Sequence, residues 1–196
     1  MRNLNYGYKV ELIELFKVPL FVSLLDLDIT SIEKYCLDYR DRDEGRILSN
    51  VGGYQSNNVE IAPLAKEISN RLNMFSEAYS ISNELEVGNM WININGFKDY
   101  NKLHSHHNAL FSGVYYVKTP DKCGNIVFDN PSQDAMEHTY HNTKFKGYNS
   151  FNSITHWRQA KENSLLVFPG WLRHGVEPNL SDEERISISF NIIQRL

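Results

Sequence analysis

The sequence predicts a mainly β domain of the α+β kind, with helices in its first half and a set of strands in its second. Apolar residues recur at helical spacing in two stretches between residues 30 and 81. From residue 86 the grammar changes to short alternating runs separated by Gly, Pro, Asn and Asp. A chain of 196 residues suits one domain with a sizeable core. The expected division is therefore a single domain, 1–196, made of a strand and helical elaboration over 1–85 and a catalytic-type β core over 86–196.

Along the chain, "VELIELFKVPLF" (10–21) reads as one or two short strands around Pro19. "TSIEKYCLDYRD" (30–41) places Ile32, Tyr35, Cys36 and Tyr39 on one helical face, with Thr30 or Ser31 as the expected N-cap. "IAPLAKEISNRLNMFSEAYSI" (61–81) reads as one helix, with Pro63 in its first turn and a stripe of Leu64, Ile68, Leu72 and Phe75. The loop "ILSNVGGYQSNN" (47–58) joins the two. Five strands follow: "VGNMWININ", "LFSGVYYVKT", "GNIVFDNP", "SLLVFPGW" and "RISISFNII". Helices followed by many short strands predict an antiparallel sandwich of jelly-roll outline, a double-stranded β-helix, with the N-terminal helices packed outside the sheet.

Composition narrows the function classes. A net charge of −4 and a pI near 6.0 give no global pull toward nucleic acid. Cys36 and Cys123 form no CxxC and fit two ordinary thiols in a reducing compartment. Glu11, Glu14 and Lys17 interrupt the N-terminal apolar residues, so neither a signal peptide nor a membrane span is expected, and the expected location is cytoplasmic. A two-fold homodimer is the commonest assembly prior. No GxSxG, GxGxxG or GxxxxGK[ST] is present.

The chemistry-bearing residues concentrate in the β half. "NKLHSHHNALFSGVYYV" (101–117) holds three of seven histidines within four positions. On an extended segment His104 and His106 share a face while His107 takes the other, so His104-Ser-His106 makes a two-point clamp for a transition metal. His174, in "SLLVFPGWLRHGVEP", is 68 residues beyond His106, far enough for intervening strands to return the chain alongside. His138, His141 and His156 have no partner at ligand spacing and read as surface residues. Arg185 opens "RISISFN", sharing a face with Ser187 and Ser189. A guanidinium pointing into a β-sandwich needs an anion: a bound carboxylate, or a structural Asp or Glu.

This constellation resembles the Fe(II)/2-oxoglutarate-dependent oxygenases, in which an HxD/E motif, a Tyr-bearing strand, a distal His and an Arg about ten residues later follow in order. It is most similar to a 2-oxoglutarate/Fe(II) oxygenase family of bacteria and phages. The matching blocks here are "SNVGGYQS" (49–56), "HSHHNALFSGVYYV" (104–117), "FPGWLRHGV" (168–176) and "RISISFN" (185–191). The resemblance implies a hydroxylase-type dioxygenase that couples decarboxylation of 2-oxoglutarate to C–H oxidation of a further substrate, with O2 as co-reactant. It implies His104, His106 and His174 as catalytic metal ligands for Fe(II). It further implies that Arg185, Tyr116 and Ser187 hold the cosubstrate.

The chain departs from the family pattern in one respect. His106 stands where a carboxylate is expected. His106 itself is the favoured third ligand, a carboxylate such as Asp129 is a second possibility, and two histidines with water a third. Asn93, Tyr54, Gln55 and Trp171 are the candidates for touching the prime substrate, with Trp171 also a packing residue and the "SNVGGYQS" glycines a turn. Two other classes fit parts of the pattern. A zinc hydrolase would use the histidines alone, and a non-enzymatic jelly-roll module would use them structurally.

Overall fold

The structure is a computed structural model and describes residues 2–5 and 9–195, with side chains from residue 11 onward. A hairpin, β1 (Arg2–Asn5) and β2 (Lys9–Leu12), comes first, followed by β3 (Phe21–Leu24). Next are α1 (Ile29–Arg40), the two-residue strands β4 (Asn50–Val51) and β5 (Tyr54–Gln55), and helices α2 (Ala62–Ser69) and α3 (Leu72–Tyr79). The strand-rich half runs through β6 (Leu85–Asn95), β7 (Tyr100–His104), β8 (Phe111–Lys118) and β9 (Asn125–Asp129). It continues with α4 (Gln133–Tyr140), β10 (Thr155–Gln159), β11 (Ser164–Pro169), β12 (His174–Val176) and β13 (Arg185–Gln194).

Two antiparallel sheets form the body. The larger has the order β3-β11-β8-β13-β6-β5 and the smaller β10-β9-β12-β7-β4. From β6 onward each strand crosses to the other sheet except at β9–β10, which are neighbours in the smaller one; this is the winding of a jelly roll. The N-terminal segment is woven into both: β3 and β5 edge the larger sheet, and β4 edges the smaller.

The larger sheet is buried on both faces, which explains why its strands mix apolar and polar positions without a wet side. One face of β6 and β13 supplies Ile92, Ile94, Ile186, Ile188 and Phe190 to a core cluster shared with Ile32 and Cys36 of α1, Leu64 and Ile68 of α2, and Leu72 and Phe75 of α3. The opposite face of β8 and β11 places Val114, Tyr116, Leu166 and Phe168 against Ile126 and Phe128 of the smaller sheet. At about 25 cal/mol per Å2 of apolar surface, each such side chain contributes roughly 1.5–3 kcal/mol.

Three local expectations are corrected. The cap of α1 is Asp28, not Thr30 or Ser31: its Oδ1 accepts the Ser31 N–H at 3.1 Å and its Oδ2 the Ser31 hydroxyl at 2.6 Å. The single helix over 61–81 is two helices. The Arg71 N–H bonds back three residues to Ile68 at 2.9 Å, tightening the chain so that α3 starts afresh with Leu72 and Phe75 still buried. The His-x-His segment is not wholly a strand, because β7 ends at His104. Cys36 and Cys123 are both free and buried. Among the described residues no helix is long and apolar enough to cross a membrane.

Candidate active site

His104 closes β7 and His174 opens β12, and the two are paired across the ladder. Backbone pairing therefore sets their separation, with ring centroids 4.5 Å apart. His106 reaches the same place from the loop after β7, where its N–H donates to the Gly170 carbonyl at 2.8 Å. Its ring centroid lies 5.0 Å from that of His104 and 5.2 Å from that of His174. One ring nitrogen from each histidine lies within 4.8 Å of the others, a spacing that one metal ion can bridge. His107 is exposed on the following turn.

The hydrogen bonds fix which nitrogens face inward. Nδ1 of His104 lies 2.7 Å from the Lys102 carbonyl, and Nδ1 of His174 lies 2.8 Å from that of Leu172. A carbonyl only accepts, so both Nδ1 atoms carry hydrogen and both Nε2 atoms present lone pairs. His106 Nδ1 lies 2.8 Å from Asn191 Oδ1. That oxygen also accepts from the Ser112 hydroxyl at 2.8 Å, while Asn191 Nδ2 donates to Asn89 Oδ1 at 2.9 Å. Asn191 is thereby held as an acceptor toward His106, whose Nε2 is buried with no partner. Burial lowers the pKa of all three rings, that of His174 to about 3, with His104 as a smaller contribution at His106 and His174. The rings are neutral near pH 7 and free to donate to a metal.

Arg185, at the start of β13, is 1% exposed. Its Nη1 donates to the carbonyl oxygens of Cys123 and, at 3.2 Å, Glu177, while Nη2 is buried without a partner. Among the described residues no carboxylate forms an ion pair with it, so the structural-acid explanation for its burial fails. Beside it the Tyr116 hydroxyl is also buried and unpartnered, its pKa pushed up by burial. Tyr115, facing the other way, spends its hydroxyl on Asn163. Ser187 is the cross-strand neighbour of Tyr116 on one side and of Asn93 on the other. Arg185, Ser187 and Tyr116 line one cleft with Asn93 and the three histidines.

The remaining candidates lie elsewhere. Gln55 is buried beside Asn93 across the β5–β6 ladder, with its side-chain oxygen unpartnered, and does not line the cleft. Tyr54 directs its hydroxyl to Asp43 at 2.7 Å, and Trp171 is 52% exposed; neither lines the cleft. Asp129 is outside the histidine group, its carboxylate 3.5 Å from Arg173 Nε. His138, His141 and His156 are exposed. In "SNVGGYQS" both glycines have positive φ, and Ser49 lines the cleft, so turn and border coincide there. One contributor was missed from sequence. Asn191 continues the alternation of Arg185, Ser187 and Ser189, a signal that was available. Trp91 alternates along β6 with Asn93 and Asn95, lines the cleft with them and stacks on His106 at 5.6 Å.

A metal-sized histidine cluster beside an unpaired buried guanidinium, on a jelly roll, defines a site built for a metal ion and an anion together. The family model described as 2OG-Fe(II) oxygenase matches residues 89–191, more than half of the chain. The chain belongs to that family and is a 2-oxoglutarate-dependent dioxygenase whose cofactors are Fe(II) and 2-oxoglutarate. Solved structures share the fold at low identity. A Pseudomonas putida prolyl-4-hydroxylase aligns with TM-score 0.63 and 11% identity, over 90% of this chain and 93% of that one. HygX from Streptomyces hygroscopicus, solved with nickel and 2-oxoglutarate bound, gives 0.59 and 9%, over 91% and 84%. The viral collagen prolyl hydroxylase of Paramecium Bursaria Chlorella virus-1, a 2OG complex, gives 0.55 and 13%, over 87% and 94%. No curated protein matches the chain in sequence.

Proposed function

We propose that His104, His106 and His174 hold Fe(II) through their Nε2 atoms, and that Arg185, Tyr116 and Ser187 bind the distal carboxylate of 2-oxoglutarate. The reaction is then hydroxylation of a C–H bond in a prime substrate that meets the cleft beside Asn93. One observation carries this reading. The inward lone pairs of three neutral imidazoles and the unpartnered Arg185 Nη2 and Tyr116 hydroxyl belong to the same cleft. A buried polar group without a partner costs on the order of 1–3 kcal/mol, and a dianion with a metal would satisfy all of them together.

Iron with 2-oxoglutarate, when bound, supplies O2-dependent oxidation coupled to decarboxylation. The protein's part is positioning. Three ligands on one side leave room for the cosubstrate and O2. Nδ1–H donation to Lys102, Leu172 and Asn191 fixes each ring's tautomer and plane. Arg185 supplies a charge-assisted donor whose guanidinium is already oriented by two carbonyls, and Tyr116 a second donor. The ligand set contains no carboxylate, so the protein adds no negative charge at the metal, and the dianionic cosubstrate offsets the ion's charge instead. Gln55 backs Asn93, Tyr54 anchors the adjoining loop through Asp43, and the half-exposed Trp171 follows Gly170, whose carbonyl holds His106.

The reading extends to a single domain, 1–196, with α1 to α3 on the outer face of the larger sheet, supported by the core they share. Free buried thiols support a reducing, cytoplasmic setting, and a homodimer is the expected assembly. The test is anaerobic addition of Fe(II) and 2-oxoglutarate, read by the visible metal-to-ligand charge-transfer band. It should form in the wild type, vanish in His174→Ala and require more cosubstrate in Arg185→Ala. No band in the wild type at saturating cosubstrate overturns the reading.

A further inference from the structure

A second cation borders the cleft. The guanidinium carbon of Arg46 lies 5.8 Å from the centroid of the Trp91 ring, and Trp91 in turn stacks on His106 with an interplanar angle of 21°. Arg46 is half-buried, its Nε is buried without a hydrogen-bond partner, and no acid among the described residues forms an ion pair with it. Of the acids just before it, Glu44 forms no ion pair with it and Asp43 is already used, accepting from the Tyr54 hydroxyl, from the Gly45 and Asn57 backbone and from the Asn57 amide. The indole ring offers the cation a favourable contact. It leaves the in-plane N–H donors unspent.

The backbone holds this cation in place. Gly45 has φ of +69°, and a Cβ there would meet the Gln55 carbonyl oxygen at 2.9 Å, so only glycine allows the close turn that precedes Arg46. The Arg46 N–H then donates to that same Gln55 oxygen at 2.8 Å. Three residues on, the Ser49 carbonyl accepts from Lys102 of β7 at 2.8 Å. Residues 46–49 thus bridge from β5, the edge of the larger sheet, to β4 and β7 of the smaller one. Ser49, at the end of this segment, lines the cleft together with Trp91. Between the polar ends, Ile47 and Leu48 are exposed at 86% and 65%.

We propose that Arg46 is a specificity residue for the prime substrate, binding an anionic oxygen group, carboxylate or phosphate, carried by a molecule that enters across residues 46–49. This rests on the iron and 2-oxoglutarate reading above, since it takes Arg185 as occupied by the cosubstrate and leaves Arg46 as the free cation at the mouth. The apolar pair Ile47 and Leu48 suits a hydrocarbon body attached to that anion.

The test is anaerobic calorimetric titration of Fe(II)- and 2-oxoglutarate-loaded protein with phenyl phosphate, benzoate and phenol. One or both anions should bind at least about tenfold more tightly than phenol, as a charge-assisted hydrogen bond allows, and the tighter anion identifies the group. Arg46→Gln should bring both anions to the level of phenol while the visible band and the 2-oxoglutarate affinity stay unchanged; Arg46→Lys should recover part of the difference. Anions no tighter than phenol, or anion affinity retained in Arg46→Gln, overturn the proposal. A wild type without the visible band instead overturns the iron and 2-oxoglutarate reading, and the Arg46 proposal falls with it.

Discussion

His104 and His174 face each other across the β7–β12 ladder, and each has Nδ1 hydrogen-bonded to the carbonyl two residues before it in its own chain segment. The same local geometry is thus used twice, from opposite strands, to turn two Nε2 atoms toward one point. Because backbone pairing holds both, the strand ladder alone sets the spacing of the pair.

Removing either ring should therefore remove the metal and not the fold. His104→Ala and His174→Ala should each weaken Fe(II) or Co(II) binding more than about 100-fold, beyond the 10–100-fold typical of losing an outer hydrogen-bond partner. Chelation should lower the wild-type melting temperature and leave that of either variant unmoved. Metal content after dialysis, with melting curves, checks this.

Asn191 should matter without touching the metal. Asn191→Ala removes the one hydrogen bond that fixes the His106 ring, which then rests on stacking against Trp91 and His174 alone to hold its plane. Metal affinity should fall about 10–100-fold, and Asn191→Asp, which keeps the acceptor, should restore much of it. Equal affinity in wild type and Asn191→Ala would show that His106 needs no such support.

Tyr116 and Arg185 should separate stability from cosubstrate binding. Tyr116→Phe deletes a hydroxyl that has no partner in the free protein, so stability without ligand should hold or rise slightly. Affinity for 2-oxoglutarate should fall about fivefold, the value of one ordinary hydrogen bond. Arg185→Met should abolish the thermal shift that 2-oxoglutarate produces in the wild type.

Gly113, in the middle of β8, should tolerate no side chain. A Cβ there would run into the Phe190 ring and meet the Leu166 carbonyl oxygen at 2.7 Å, and backbone cannot step aside. Gly113→Ala should cost about 1–3 kcal/mol in denaturant unfolding, as overpacking does.

Acid should destabilise the metal-free protein through His174. Burial depresses its folded-state pKa to about 3 from an ordinary 6.5, so the unfolded chain takes up the proton first. The contribution is fully present above pH 6.5 and is lost as pH falls toward 3. The stability difference between wild type and His174→Leu should shift steadily against the wild type across that window. At neutral pH the rings are already neutral, so metal binding should release few protons from them, seen as buffer-independent calorimetric enthalpies.

Much of the site was legible because β structure alternates. Arg185 and Ser187 were assignable to one face by period two, and so were Trp91, Asn93 and Asn95, and both rows do meet at the cleft. The same rule extended to residue 191 would have found Asn191. It failed at His106, where the strand ends after His104 and a loop hydrogen bond to Gly170, not the pleat, turns the ring inward. The helical spacing of Leu64, Ile68, Leu72 and Phe75 marked a buried stripe but not the break at residues 70–71, since a tight turn can keep the stripe in phase.

By itself the sequence determined the fold class, the two faces of the long strands and the identity of the polar residues inside. Hydrophobic period and turn residues act locally, and a buried Arg or His advertises itself by sitting where an apolar residue belongs. Only the tertiary structure decided that His106 rather than Asp129 joins the other two rings, that Arg185 has no internal acid, and that Arg46 lies over Trp91. Each of these depends on which distant backbone a side chain meets, and that is set by sheet order and loop path, which no local pattern contains.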